Sequence, residues 1–199
     1  ADLSSYVVVR RPPLCSQQLQ HRICTMPPPS SGGLALLQTL ALLNQTTNLA
    51  SSSAGEPQVW RQLARAQAWA DADRLYWVHD PIDGAVPSAA LLDPAYIASR
   101  ARAMQRANSS RPTPGLPPGI DRYPYGRPDR GIEQGTSQIT IVDASGNIAS
   151  YTSSVETIFG SRHLIGGMVM NNQLTDFSFQ PSIDEPSNIR PSSSSSSPM

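Results

Sequence analysis

Neither sign of charge is in excess in this sequence, in which 15 basic residues balance 15 acidic ones. No stripe of Lys or Arg stands out, so the electrostatic pattern of a nucleic-acid-binding protein is missing. Long hydrophobic runs are also lacking, because the apolar stretch Leu34–Leu43 is interrupted by Gln38 and Thr39 and is far shorter than the ~20 residues of a membrane span. We therefore expect no nucleic acid partner, no membrane span in this chain, and a small polar or zwitterionic ligand.

Cysteine is scarce, with only Cys15 and Cys24 in the sequence. The segments Tyr6–Val9 and Arg22–Thr25 predict neighbouring strands of an extended hairpin from Tyr6 to Met26. A disulfide between the cysteines is possible if the protein is exported, and two buried free thiols are an equally good alternative. Two cysteines with distant histidines do not have the spacing of a metal site.

The chain is long enough for one domain with a sizeable core. It begins with Ala1 rather than Met, and the segment that follows has neither the basic start nor the apolar run of a signal peptide. We therefore expect the true N-terminus of the protein to lie upstream.

Three helices are predicted from their start signals. Serine capping predicts a buried helix that runs from Ser30–Gly33 to about Asn44. Proline at the first turn and apolar residues every three to four positions predict a helix over 57–76, and the same start signal predicts one over 93–107. Three tryptophans in or near these helices are expected in the core: Trp60, Trp69 and Trp77.

The composition changes in residues 108–135, where six prolines and several glycines predict an irregular, exposed loop. After it, two β-rich runs joined by the turn-forming segment Asp143–Asn147 predict a hairpin that begins at Thr136. Gly166–Met170 predicts another apolar strand. The Pro-rich loop therefore ends immediately before the first residue of a strand.

The junction between Gly135 and Thr136 is where the pattern indicates chemistry. A small residue precedes a hydroxyl residue that starts a strand, so the Thr136 hydroxyl could attack the carbonyl before it. A Gly-Thr pair before a strand is common, and taken alone it gives only weak support for self-cleavage. Further segments of the sequence are therefore needed before self-cleavage can be inferred.

Several further segments follow one another along the chain: Met26–Gly33, Ala72–Arg74 with Asp80-Pro81, Gly135-Thr136, Asp143–Asn147, Phe159–Ser161 and Asn171–Ser178. In this order and at these spacings they resemble the gamma-glutamyltranspeptidase family over nearly the whole chain. The resemblance implies an α+β fold of the N-terminal-nucleophile hydrolase type, an αββα sandwich of which this chain is a part. It also implies a precursor that is cut into two subunits. Residues 1–135 would form the C-terminal part of the large subunit, and residues 136–199 the N-terminal part of the small one.

The resemblance implies that Thr136 is both the self-cleavage residue and the catalytic nucleophile of a gamma-glutamyltransferase and glutathione hydrolase. Cleavage after Gly135 frees an α-amine, whose reference pKa of ~7.7–8.0 lets it take the hydroxyl proton near neutral pH. The hydroxyl then attacks the γ-amide of glutathione or a related compound, and water, an amino acid or a peptide accepts the γ-glutamyl group. No metal or organic cofactor is implied.

Substrate-binding roles fall on the positions that match the family's motifs. Asp176 and Gln173 lie where the family contacts the substrate α-amino group, and Glu156 lies where it has Asn or Glu for the same task. Ser154 stands where the usual residue is Thr and keeps a hydroxyl beside the nucleophile.

Other parts of the family's site match less closely or fall outside the chain. Ser193 and Ser194 correspond to the serine pair that binds the substrate carboxylate, in a serine run that is one residue too long. The carboxylate-binding arginine is expected upstream of Ala1 and the oxyanion-hole glycines beyond Met199. Because losing one oxyanion donor costs ~10²–10³ in turnover, the chain alone is expected to be weak or inactive. The resemblance also implies a periplasmic or extracellular location.

Two alternatives remain open. A cephalosporin or glutaryl acylase shares the mechanism but does not need an α-ammonium site, and the set Glu156, Gln173 and Asp176 argues against it. A catalytically silent, truncated homologue would bind or assemble without self-cleavage. A chain break before Thr136 is the observation that separates an enzyme from such a homologue.

Overall fold

The computed structural model describes residues 2–18, 20–48, 52–53, 55–78, 86–107, 112–121 and 135–173. These residues fall in two compact units, one within residues 2–121 and one within residues 135–173. The first is mainly helical and the second consists of hairpins, and each is described by itself.

The described part of the first unit contains, in chain order, α1 (Asp2–Ser5), β1 (Leu14–Gln18), β2 (His21–Thr25), α2 (Gly32–Thr46), α3 (Pro57–Trp77), α4 (Ser88–Leu91) and α5 (Pro94–Arg106). Proline opens both α3 and α5, at a position where a helix has no use for the missing N–H. The Asp93 carboxylate caps α5 by accepting from the backbone nitrogens of Ala95 at 2.9 Å and Tyr96 at 3.1 Å. The three predicted helices are confirmed.

The predicted serine cap of α2 is wrong. Ser31 occupies the N-cap position but makes no side-chain capping bond. Its Oγ instead accepts a hydrogen bond from Nη1 of Arg74 at 3.1 Å. The serine side chain therefore connects α2 to α3, a tertiary contact that the local sequence does not show.

The hairpin of the first unit is shorter than predicted. β1 pairs with β2 from Leu14 opposite Thr25 to Gln18 opposite His21, and the segment Tyr6–Val9 is exposed and forms no strand. The register places Cys15 directly opposite Cys24, with their Cα atoms 4.1 Å apart, and the two form a disulfide. Of the two alternatives left by the sequence, the structure shows the disulfide.

The core of the first unit lies between α2, α3 and α5. One cluster joins residues from all three helices: Ala41, Leu42, Leu43, Ala66, Trp69, Ile97, Ala101 and Met104. A second cluster comprises Leu34, Trp77, Val78, Leu91 and Tyr96. Trp69 and Trp77 are buried as expected, whereas Trp60 is 60% exposed because it lies on the outer side of α3. Among the described helices, none is both long and apolar enough to cross a membrane.

A buried polar cluster lies beside this core, centred on the Asp73 carboxylate. Asp73 forms an ion pair with Nη2 of Arg100 at 2.9 Å and accepts from the Tyr96 hydroxyl at 2.8 Å. It also accepts from Nε2 of Gln38 at 3.3 Å and from the backbone nitrogen of Gly115 at 2.8 Å. Burial raises the pKa of the Asp73 carboxyl, and the Arg100 guanidinium opposes this by favouring the charged form. The carboxylate thus connects three helices to the described part of the Pro-rich loop.

The described part of the second unit contains β3 (Thr136–Val142), β4 (Ile148–Ser154), β5 (Leu164–Ile165) and β6 (Met168–Val169). The hairpin predicted to begin at Thr136 is confirmed, with Thr136 opposite Ser154 and Val142 opposite Ile148. Its turn is fixed by Asn147, whose Nδ2 donates to Oδ2 of Asp143 at 2.7 Å. This bond, with a further one from the Asn147 backbone, lowers the pKa of Asp143.

The strand predicted over Gly166–Met170 is wrong in part. Only Met168–Val169 is a strand, and it pairs with Leu164–Ile165. Gly166 and Gly167 form the turn between the two, with φ values of 60° and 84°. Glycine adopts this left-handed backbone without steric cost, and an apolar run with two glycines therefore folds back on itself.

Candidate active site

Thr136 is the first residue of β3, and its side chain lies on a polar face of the hairpin. Residues alternate between the two faces of a strand, so Thr136, Gln138 and Thr140 share one face. Across the hairpin they lie opposite Ser154, Thr152 and Ser150 respectively. Hydroxyl and amide groups thus line the face from its beginning at Thr136.

The Thr136 hydroxyl has a second hydroxyl beside it. Oγ1 of Thr136 donates to Oγ of Ser154 at 3.2 Å. The same Ser154 oxygen accepts from the backbone nitrogen of Glu156 at 3.0 Å. Thr136 is exposed and Ser154 is half-buried. The structure therefore brings the Thr136 and Ser154 hydroxyls together, and the exposed one of the two belongs to Thr136.

Gly135 fits its position because it has no side chain. Its φ is 93°, and a Cβ added there would lie 1.9 Å from the carbonyl oxygen of Glu156. Side chains essentially never come closer than 3.0 Å to such an atom. Only glycine therefore brings the carbonyl that precedes Thr136 this close to the Glu156 backbone.

Glu156 is held by the segment that follows β6. Nδ2 of Asn172 donates to Oε2 of Glu156, and Oδ1 of Asn172 accepts from the backbone nitrogen of Thr157 at 3.1 Å. Gln173 is half-buried directly after it, with its backbone nitrogen donating to Oδ1 of Asn171 at 3.0 Å. The structure thus brings Glu156 next to the Asn171–Gln173 segment.

The remaining expected site residues, Asp176, Ser193 and Ser194, lie outside the described residues. The contacts of Asn172 were not predicted from the sequence. It lies in a segment that carries the family resemblance, but nothing in the sequence indicates that its amide contacts the carboxylate 16 positions earlier. That separation can be bridged only once the chain between them has folded back.

The arrangement can support nucleophilic chemistry at a hydroxyl. Thr136 supplies an accessible oxygen. The Ser154 hydroxyl is close enough to donate a hydrogen bond to that oxygen once the Thr136 hydroxyl has lost its proton. Glu156 supplies a carboxylate, a suitable acceptor for a substrate ammonium group.

Solved structures with a similar fold define the class of protein. The chain aligns with cephalosporin acylase from Bacillus halodurans over 96% of this chain and 31% of that one, at a TM-score of 0.72 and 22% identity. It aligns with the Helicobacter pylori gamma-glutamyltranspeptidase over 60% of this chain and 35% of that one, at a TM-score of 0.54 and 30% identity. The fold is that of the N-terminal-nucleophile hydrolases.

Sequence comparison identifies the family within this class. The family model described as gamma-glutamyltranspeptidase matches residues 1–198, and the chain belongs to that family. Glutathione hydrolase proenzymes are similar to it at 32% identity in Escherichia coli strain K12 and 33% in Bacillus subtilis strain 168, over 92% and 88% of this chain. An acylase ACY 1 proenzyme of Pseudomonas sp. strain SE83 is 31% identical over 91% of it. The chain spans 30%, 31% and 30% of the lengths of these three relatives.

Proposed function

We propose that the protein is a gamma-glutamyltransferase and glutathione hydrolase that cleaves its own chain before Thr136 and then uses Thr136 as its nucleophile. The observation that carries this proposal is the accessible Thr136 hydroxyl at the start of β3, hydrogen-bonded to Ser154 and preceded by a glycine at which an added Cβ would clash with the Glu156 carbonyl oxygen. Membership of the gamma-glutamyltranspeptidase family supports it.

Self-cleavage is a transfer of an acyl group from nitrogen to oxygen. The Thr136 hydroxyl attacks the carbonyl carbon of Gly135, the C–N bond breaks, and an ester forms between the Gly135 acyl group and Thr136. Water then hydrolyses this ester, which leaves a carboxylate on Gly135 and a free α-amine on Thr136. Residues 1–135 would then belong to the large subunit and residues 136–199 to the small one.

The same hydroxyl then acts on substrate. The α-amine of Thr136 takes the hydroxyl proton, and the oxygen attacks the γ-carbonyl of glutathione or a related amide. The amine returns the proton to the leaving amide nitrogen, and a γ-glutamyl ester remains on Thr136. Water, an amino acid or a peptide attacks that ester, so that the product is glutamate or a new γ-glutamyl amide.

Substrate recognition needs acceptors for an ammonium group and donors for a carboxylate. Glu156, Gln173 and Asp176 are proposed to bind the α-ammonium group, because two carboxylates and an amide suit a cation. The substrate carboxylate is assigned to Ser193 and Ser194. A periplasmic or extracellular location is proposed. The disulfide of the first unit supports it, because disulfides are stable in oxidising compartments.

A Thr136→Ala variant tests self-cleavage. We expect the wild-type protein to separate into two polypeptides, the smaller of which begins Thr-Ser-Gln-Ile, and the variant to stay intact by mass spectrometry. Thr140→Ala is the matched control, because Thr140 lies on the same face of the same strand and is not at the junction. Cleavage of Thr136→Ala at the same bond would show that an external protease does the work.

An acylase without transpeptidase activity is the second candidate function. The similarity to the Pseudomonas acylase, at 31% identity, is the observation that favours it. Hydrolysis of γ-glutamyl-p-nitroanilide and of glutaryl-p-nitroanilide by the mature protein separates the two candidates, because the glutaryl compound lacks the α-amine. A preference for the glutaryl compound would identify an acylase.

A further inference from the structure

Asn172 connects two segments of the second unit. Its Nδ2 donates to Oε2 of Glu156, while Oδ1 lies 3.1 Å from the backbone nitrogen and 3.0 Å from Oγ1 of Thr157. The backbone nitrogen of Asn172 also donates to the carbonyl oxygen of Val155 at 3.3 Å. One asparagine therefore contacts three consecutive residues, 155 to 157.

The amide of Asn172 matches what these residues require. Its carbonyl oxygen accepts the two Thr157 groups, and its NH₂ group donates to the Glu156 carboxylate. A carboxylate side chain could not donate and a hydroxyl could not reach both sides, so the amide is the group that suits both partners. Glu156 and Asn172 are both half-buried, which makes this charge-assisted bond stronger than it would be in water.

The backbone at Glu156 also requires support. Its φ is 72°, a left-handed conformation that costs a side-chain-bearing residue free energy and is retained only when neighbouring contacts hold it. The contacts from Asn172 to Val155 and Thr157 flank this residue on both sides. They fix the direction in which the Glu156 side chain leaves the backbone, and the bond to Oε2 fixes its carboxylate.

We propose that Asn172 is a positioning residue that orients the Glu156 carboxylate for the α-ammonium group of the substrate. The inference rests on the proposed function and deepens it, because it adds a selectivity determinant that does not itself touch the substrate. Asn172 engages Oε2 of Glu156, and the second carboxylate oxygen, Oε1, is the one assigned to the ligand.

The test is an Asn172→Ala variant of the complete, mature protein. We expect kcat/KM for γ-glutamyl-p-nitroanilide to fall about tenfold, mainly through KM, since a hydrogen bond to a charged group has this size and ammonium binding is shared by ground state and transition state. Hydrolysis of glutaryl-p-nitroanilide, which has no ammonium group, should not change. A protein whose structure was merely damaged would lose both activities equally.

Asn147→Ala is the matched control. Asn147 also donates from Nδ2 to a carboxylate, that of Asp143, in the same unit but at the turn of the hairpin. It should leave the ratio of the two activities unchanged. A selective loss of γ-glutamyl hydrolysis in Asn147→Ala as large as that in Asn172→Ala would contradict the proposal.

Measurements in a Glu156→Ala background test whether Asn172 acts through Glu156. If it does, adding Asn172→Ala to Glu156→Ala should produce no further loss of selectivity, because the carboxylate to be oriented is gone. A full tenfold loss in that background would overturn the proposal. So would equal losses on both substrates in the single variant.

A second variant is available if Asn172→Ala does not fold. Thr157→Val keeps the backbone bond to Oδ1 of Asn172 and the side-chain volume, and it removes the hydroxyl that Oδ1 of Asn172 shares with the carbonyl oxygen of Gly160. It should raise KM for the γ-glutamyl substrate alone by a few-fold, and unchanged selectivity would count against the proposal. Failure of the proposed function is recognised separately, because a wild-type protein without γ-glutamyl activity would reveal it before any variant is compared.

Discussion

The substitution Gly135→Ala tests whether the geometry before Thr136 is required for self-cleavage. Alanine at a φ of 93° is strained, at a cost of about 1–3 kcal/mol. Its Cβ would also lie 1.9 Å from the Glu156 carbonyl oxygen, so the two backbones must separate by roughly 1 Å to reach the 3.0 Å minimum. The Gly135 carbonyl, which is the group attacked in self-cleavage, would thereby be misplaced, and a misplacement of ~1 Å can lower a rate about 10²-fold. We expect Gly135→Ala to slow self-cleavage by that factor.

Gly146→Ala separates the steric effect from backbone strain. Gly146 has a φ of 81° in the turn of the same hairpin, and an added Cβ would meet nothing within 4 Å. This variant should therefore cleave at close to the wild-type rate, although it carries comparable strain. The fraction of intact chain is followed with time by mass spectrometry. Equal rates for both variants would refute the argument that close approach to Glu156 positions the junction.

Two other predictions concern substrate selectivity and stability. Asp176→Asn should lower kcat/KM for γ-glutamyl-p-nitroanilide about 10- to 200-fold, because a charge-assisted hydrogen bond contributes roughly 1.5–3 kcal/mol. Hydrolysis of the glutaryl substrate and self-cleavage should not change. Equal losses on both substrates would show that Asp176 has a structural role. Asp73→Ala should lower the free energy of unfolding by about 3–5 kcal/mol in urea titrations, because it leaves the Arg100 charge buried and unpaired. Asp71→Ala is its control and should cost at most about 1 kcal/mol, because the Asp71–Arg74 pair is partly exposed. Similar losses of unfolding free energy in both aspartate variants would show that the buried ion pair contributes no more to stability than the partly exposed one.

Local chemistry in the sequence determined several elements in each unit. Pro57 and the Asp93-Pro94 pair fixed where two helices begin, because each acts within one turn of its own position. The turn Asp143–Asn147 and the strands on either side of it likewise predicted a hairpin that starts at Thr136, and the structure has it there. The motifs in their order were enough to identify the family.

The tertiary structure decided which side chains meet. An aspartate within a helix is normally solvated, and only the packing of three helices makes Asp73 a buried ion-pair partner of Arg100. Ser31 had the local chemistry of a helix cap, yet it bonds Arg74 of a different helix.

At the candidate active site, too, the sequence determined which residues are neighbours in the chain, and the tertiary structure determined which distant groups meet. The sequence placed Gly135 and Thr136 next to each other because they are covalently joined. The approach of Gly135 to the Glu156 carbonyl, and of the Asn172 amide to the Glu156 carboxylate, depends on chain segments that return over 16 or more residues. No local propensity encodes such a return, since it is set by strand register and loop packing, and these exist only after the chain has folded.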